Sequence, residues 1–238
     1  MSFLSRLFGS RSSKKPEDIE AQLARIEVEA TEARPGYVGT SHNKAGDLAL
    51  RAGQSDRAVG YYGRAIDAFL EDAQREAARG VANKIIRVRP EAVRTLCTLT
   101  WLDLAARHQA TALLHLRDYV ESAKKAEQHA RAATQIYEMA KIVPNPEFIE
   151  AAADALDSLD FSNRGVEVRA WAGAGPPEAV SDPEELAERC LLAAVQSNRA
   201  DAELLRDSDP VEDPDAEDRV TSSDDDDALP TKKKYRWD

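Results

Sequence analysis

The chain has 238 residues, of which 32% are charged and only 6% aromatic, and its mean hydropathy is −0.52. Alanine fills many of the apolar places, so a core has to come from small side chains in close approach, which suits packed helices. No run reaches the roughly 18 unbroken apolar residues of a membrane-spanning helix, which excludes an integral helical membrane protein. The net charge of −11 is unevenly spread: between Asp207 and Asp227 eleven carboxylates face one arginine, leaving the rest near neutrality.

In chain order, residues 1–15 come first. Phe3, Leu4, Leu7 and Phe8 fall on one side of one or two helical turns, with Arg6, Arg11, Lys14 and Lys15 and no acid before Glu17. The segment reads either as a small peripheral anchor for an anionic membrane surface or a partner, or as a frayed tail docked on the protein itself. Burying its four apolar side chains is worth on the order of 6–10 kcal/mol before ordering costs. It does not read as a secretory signal, because no cleavable apolar run is present.

Pro16 opens a helix over residues 16–34, with Ile19, Leu23 and Ile26 at i, i+4, i+7 and Pro35-Gly36 as its end. This helix is expected to pack on the helices that come next in the chain. Residues 36–143 contain proline only at position 90, and the apolar residues Ala45, Leu48, Ala49 and Ala52, then Ala58, Val59, Tyr62, Ala65, Ile66 and Phe69 recur at helical spacing. Gly53 allows a left-handed helix end, and Ser55 can cap the next helix.

Self-comparison gives echoes at one constant offset: Gly46 with Gly80; Ala58 with Ala92 and Ala126; Ala65 with Leu99 and Ala133; Tyr62 with Leu96. On Gly46, Gly53, Ala58, Tyr62 and Ala65 the chain resembles the tetratricopeptide repeat family, whose unit of about 34 residues equals that offset. The resemblance covers about residues 38–143. In the second unit Arg87 replaces the turn glycine, and in the third Leu113, Leu116, Asp118, Tyr119 and Ser122 fit better four positions earlier. Residues 109–141 hold neither Gly nor Pro, so two helices or one long helix are both open there. The fold class is all-α: a helical-hairpin solenoid over 38–160 with flanking helices.

Phe148, Ile149, Ala152, Leu156 and Leu159 are expected to form a closing helix after Pro146. Residues 161–181 read as a linker, with Val166, Val168 and Ala170 in a short extended stretch. Asp182 caps a helix over 182–206, with Pro183 at its first position. The acidic residues 207–238 are expected to be disordered. They end in Lys232, Lys233, Lys234, Tyr235, Arg236 and Trp237, which read as a docking motif or a solvated tail.

No catalytic constellation appears. His42, His108, His115 and His129 lack metal-site spacing, Cys97 and Cys190 are too few and too far apart for a cage or disulfide framework, and Gly173-Ala174-Gly175 lacks the strand and helix of a phosphate cradle. No cofactor, metal or nucleic-acid partner is expected. The resemblance implies a groove, lined by the first helix of each unit, that binds a segment of another protein. Its positions map to Asn43, Asp47, Leu50 and Arg51; to Gln74, Ala77, Val81, Lys84 and Ile85; and to His108, Thr111 and His115. Asp47 stands where family members that grip chaperone tails carry Asn, so that ligand is not expected. The reading is a non-catalytic adaptor or scaffold, cytoplasmic or peripheral at the inner face of a membrane. A chaperone or assembly factor and a structural subunit of a larger complex are its alternatives.

Overall fold

In the computed structural model, residues 16–34 and 36–207 are described, with side chains over 19–34 and 36–198. Ten helices occupy this span: α1 (Pro16–Glu32), α2 (Val38–Arg51), α3 (Ser55–Glu71), α4 (Arg75–Val88), α5 (Val93–Ala105), α6 (Gln109–Lys125), α7 (His129–Ile142), α8 (Pro146–Ser158), α9 (Ser162–Ala174) and α10 (Pro183–Asp207). The described residues up to Ala202 pack as one unit, and the end of α10 from Glu203 begins a second.

The helices are separated by one turn used five times. Gly53, Ala73, Arg107, Glu127 and Asp160 all take positive φ. In each turn the next residue's N–H closes the long loop of a Schellman motif: Gln54 to the Ala49 carbonyl at 2.9 Å, Gln74 to Phe69 at 2.7 Å, His108 to Asp103 at 2.8 Å, Gln128 to Ala123 at 2.9 Å and Phe161 to Leu156 at 2.9 Å. Residues 109–141 are therefore two helices, broken at Glu127. Only Gly53 is free of the side-chain clash of this conformation, which costs about 1–2 kcal/mol elsewhere. Ala73→Gly is expected to raise the melting temperature by about 2–4 °C, the equivalent of about 1 kcal/mol once glycine's extra chain entropy is subtracted. Differential scanning calorimetry checks this, and no rise would mean the turn is not held as described.

From Gly53 to Glu127 a shorter interval between these turns alternates with a longer one, so that Arg107 repeats Gly53 and Glu127 repeats Ala73. The helices follow the same alternation: the 17-residue α3 and α6 start at Ser55 and Gln109, the 14-residue α4 and α7 at Arg75 and His129. That match spans three helices; the helix pair itself recurs unevenly, α2, α4 and α6 starting at Val38, Arg75 and Gln109 and α3, α5 and α7 at Ser55, Val93 and His129. The sequence echo links places that are not equivalent: Ala58 lies inside α3, Ala92 is the N-cap of α5, and Ala126 is the C-cap of α6.

Side-chain contacts put alternate helices side by side. In one layer, Lys84 joins α4 to α2, the Arg79–His108 contact joins α4 to the start of α6, and Gln109 joins α6 to Asn145 at the start of α8. In the other, Arg57 joins α3 to Glu20 of α1, Arg94 joins α5 to Asp67 of α3, Trp101 joins α5 to Gln135 of α7, and Tyr137 joins α7 to Glu167 of α9. The core between them is rich in alanine, with Trp101, Tyr61, Tyr62, Tyr119 and Phe148 as its largest fully buried side chains. The expected packing of α1 holds: Leu23 is fully buried, with Ile19 and Ile26 against the same core.

Two expectations change. Most of the expected linker 161–181 is helical, since α9 takes up Ser162–Ala174. Of the alternating residues, Val168 is fully buried and Val166 is exposed, and Gly165 lies so close to α8 that a Cβ would run into the Asp157 carboxylate. Asn163-Arg164-Gly165 is thus the first turn of a helix that needs glycine for contact. The second concerns α10, which packs on the core although a linker was expected before it. Asp182 Oδ1 accepts from the Glu184 and Glu185 amides at 3.0 and 2.9 Å, as a cap should. Beyond it, Cys190 and Ala194 are fully buried, and Asn198 meets Arg94 of α5 at 2.7 Å.

Candidate interaction face

The residues mapped to the groove separate into three kinds. Val81 and Ile85 are 4% and 2% exposed, so they belong to the core and line no groove. The apolar phase Ala78, Val81, Ala82, Ile85 of α4 makes this unavoidable, since the four share one helix face.

A second set ties neighbouring helices together. Lys84 Nζ donates to Asn43 Oδ1 at 2.9 Å and to Asp47 Oδ1 at 2.6 Å, while the Tyr62 hydroxyl donates to the same Asp47 oxygen at 2.7 Å. Burial opposes ionisation of Asp47, but the Lys84 ammonium and the Tyr62 hydroxyl outweigh it and hold the carboxyl below its usual range. Burial and that carboxylate push the Tyr62 hydroxyl well above the ordinary phenol range. Between α4, α5 and α6, the carboxylate of Asp103 is fully buried. Its Oδ1 is 2.8 Å from Arg79 Nη2 and its Oδ2 is 2.6 Å from His115 Nδ1. Arg79 Nη1 lies 2.9 Å from His108 Nδ1. Gln74 donates to the Gly36 carbonyl at 3.2 Å, while Thr111 only turns back within the start of α6, donating to the His108 carbonyl at 3.0 Å.

The third set reaches solvent: Leu50 is 37% exposed, Arg51 is exposed, and Ala77 is half-buried. Sequence reasoning missed the rest of this face. Opposite the buried side of α4 lie Glu76, Gly80, Asn83 and Arg87; opposite that of α6 lie Leu114, Asp118 and Glu121. The signal was in the sequence, because these positions stand half a helical turn from the apolar stripe. A cleft of about 580 Å³ lies at the start of α4, lined by Gln74, Arg75, Ala77, Arg79, Leu102 and Ala106.

The remaining histidines are apart. Burial, with the nearby Arg64 cation, lowers the pKa of His42, whose Nδ1 is buried without a hydrogen bond. His129 is 3.8 Å from Asp160. Burial pushes the Cys97 thiol up to about 11 and the Cys190 thiol up to about 12, so neither is a thiolate nucleophile at neutral pH. Among the described residues no group of three or more His, Cys, Asp or Glu side chains could hold a metal ion, and no helix is long and apolar enough to cross a membrane. The expected docking residues Phe3, Leu4, Arg6, Leu7 and Phe8, and Lys232 to Trp237, lie outside the described residues. Comparison with protein-family models, with curated proteins and with solved structures finds no match to this chain.

Proposed function

We propose that this protein is a non-catalytic adaptor of the tetratricopeptide-like kind, binding a segment of a partner protein along the face formed by α2, α4 and α6. One observation carries the reading. Polar side chains that bridge the seams between these helices are fixed from within, while an outer row of mixed polar, charged and apolar residues, Leu50, Arg51, Asn83, Arg87 and Leu114 among them, is left half-buried or exposed. A fixed floor with an outer row that reaches solvent suits stoichiometric recognition, because the receptor loses little freedom on binding.

The test is an affinity pull-down from native lysate, separated into soluble and membrane fractions. It compares the full chain with forms lacking residues 1–15 or 208–238 and with a Leu50→Asp/Leu114→Asp form. The reading expects one protein retained by the first three and lost by the fourth. Loss with either deletion, and retention by the double variant, would place the active part in the terminal segments.

A further inference from the structure

Asp103 and Arg79 do more than join helices, because with neutral imidazoles the donors and acceptors around them can be arranged in only one way. A carboxylate offers no hydrogen, so His115 Nδ1, 2.6 Å from Asp103 Oδ2, must carry one. A guanidinium only donates, so His108 Nδ1, 2.9 Å from Arg79 Nη1, must be bare and accept. The neutral rings are therefore locked in opposite tautomers: His115 has its hydrogen on Nδ1, His108 on Nε2. Both turn Nδ1 inward to the same Asp103–Arg79 pair, and neither Nε2 is among the buried atoms lacking a partner. His108 is 49% exposed and His115 15%. Toward solvent, then, α6 offers an N–H donor at His108 and, two turns on and so on the same side of the helix, a lone pair at His115.

We infer that this pair of histidines reads the main chain of a bound segment, the His108 Nε2–H donating to a backbone carbonyl and the His115 Nε2 accepting from a backbone N–H. Arg79 and Asp103 are the positioning residues. A second acid, on α8, shows what is particular about His115. Near the end of α8, Asp157 meets Arg169 of α9 at 2.9 Å, with the same twelve-residue separation that divides Asp103 from His115. An arginine there pairs with the acid but can only donate, whereas a histidine in that role leaves an acceptor facing out. An extended polypeptide, which carries both groups on one edge, is the partner that matches a donor and an acceptor together.

The inference rests on the segment-binding reading above, and two measurements separate their failures. The first needs no partner: long-range ¹H–¹⁵N correlation spectra of the full chain with ¹⁵N-labelled histidine, at pH 8. His115 is expected to show its hydrogen on Nδ1 and His108 on Nε2, and Asp103→Ala, recorded cold to keep it folded, to return His115 to the Nε2–H form that free imidazole prefers. A common tautomer for the two in the parent chain, or no change in a folded Asp103→Ala, overturns the inference. The second uses random 12-residue peptides displayed on phage, selected on the immobilised full chain. His115→Asn keeps a donor toward Asp103 but has no acceptor at the Nε2 position. Selected peptides are expected to bind it at least tenfold more weakly, with a similar loss when one backbone amide of the peptide is N-methylated. Equal binding to both forms overturns the backbone reading and leaves the adaptor reading standing; a panel with no binder counts against both, and the spectra still decide the tautomers.

Discussion

Gly46→Ala is expected to destabilise the protein by about 2–3 kcal/mol, whereas Gly80→Ala is expected to stabilise it by about 1 kcal/mol. The two glycines echo one another in sequence and lie in α2 and α4, helices of equal length, so by sequence they look like the same position. A Cβ on Gly46 would run into the Tyr62 ring. That ring is fully buried, and its hydroxyl is tied to Asp47 at 2.7 Å, so it has nowhere to retreat and the α2–α3 crossing must open instead. A Cβ on Gly80 meets nothing within 4 Å; there alanine only removes the backbone entropy that glycine loses in a helix. Urea unfolding followed by circular dichroism, with the slope held common, checks both. A Gly46→Ala midpoint within error of the parent would mean α2 and α3 are not in that contact, and a destabilised Gly80→Ala would mean the outer side of α4 is covered.

The contrast shows how much of the fold could be read in advance. Helices with strong apolar phase were legible: α1 from Ile19, Leu23 and Ile26, α3 from Ala58 to Phe69, and the cap of α10 from Asp182. The connections were not, because four of the five repeated turns place Ala73, Arg107, Glu127 or Asp160 in the left-handed conformation that glycine marks in sequence. Their backbone is imposed by the packing of the flanking helices, and no local residue advertises it. The echo's offset equals the interval from Ala73 to Arg107 but not the spacing of every helix pair, since α3, α5 and α7 start at Ser55, Val93 and His129. In α9 the reverse occurred. Gly165 is present for its missing Cβ, and a contact glycine in a first turn is indistinguishable by sequence from a loop glycine.

The candidate face was legible by helix and not by side chain. α2, α4 and α6 do lie side by side, joined through Asn43, Asp47 and Lys84 and through Arg79, His108 and His115. Half of the residues mapped by family position became bridges between helices, because α2, α4 and α6 start at Val38, Arg75 and Gln109 and so are unevenly spaced. A slip of three positions between one start and the next leaves a helix about 60° out of phase with the family register. The acid at the centre of the second bridge was invisible. Asp103 stands among Leu102, Leu104 and Ala105 in a helix buried almost all round, and only the approach of Arg79 from α4 and His115 from α6 explains a charge there.

Asp103→Ala is accordingly expected to cost about 3–5 kcal/mol, a fall in melting temperature of roughly 10 °C for a chain of this size. The carboxylate is fully buried, and Arg79 and His115 are largely covered, so removing the anion leaves the Arg79 guanidinium and the His115 Nδ1 without their partner where water reaches poorly. Oδ1 is close to Arg79 but lacks the alignment of a hydrogen bond, which makes the attraction mainly ionic; Asp103→Asn, which preserves shape and loses charge, should therefore recover little. Replacing the pair together, Arg79→Met with Asp103→Leu, removes both the charge and its counter-charge and leaves the His115 Nδ1 as the one unmatched polar atom. The double variant is expected to be more stable than Asp103→Ala, with a coupling of at least about 1 kcal/mol in the cycle built from Asp103→Leu and Arg79→Met. Thermal unfolding of the four proteins provides the measurement. Additive losses would mean that Arg79 and Asp103 do not act as a unit, and the fixed floor attributed to the α4–α6 seam would lose its physical basis.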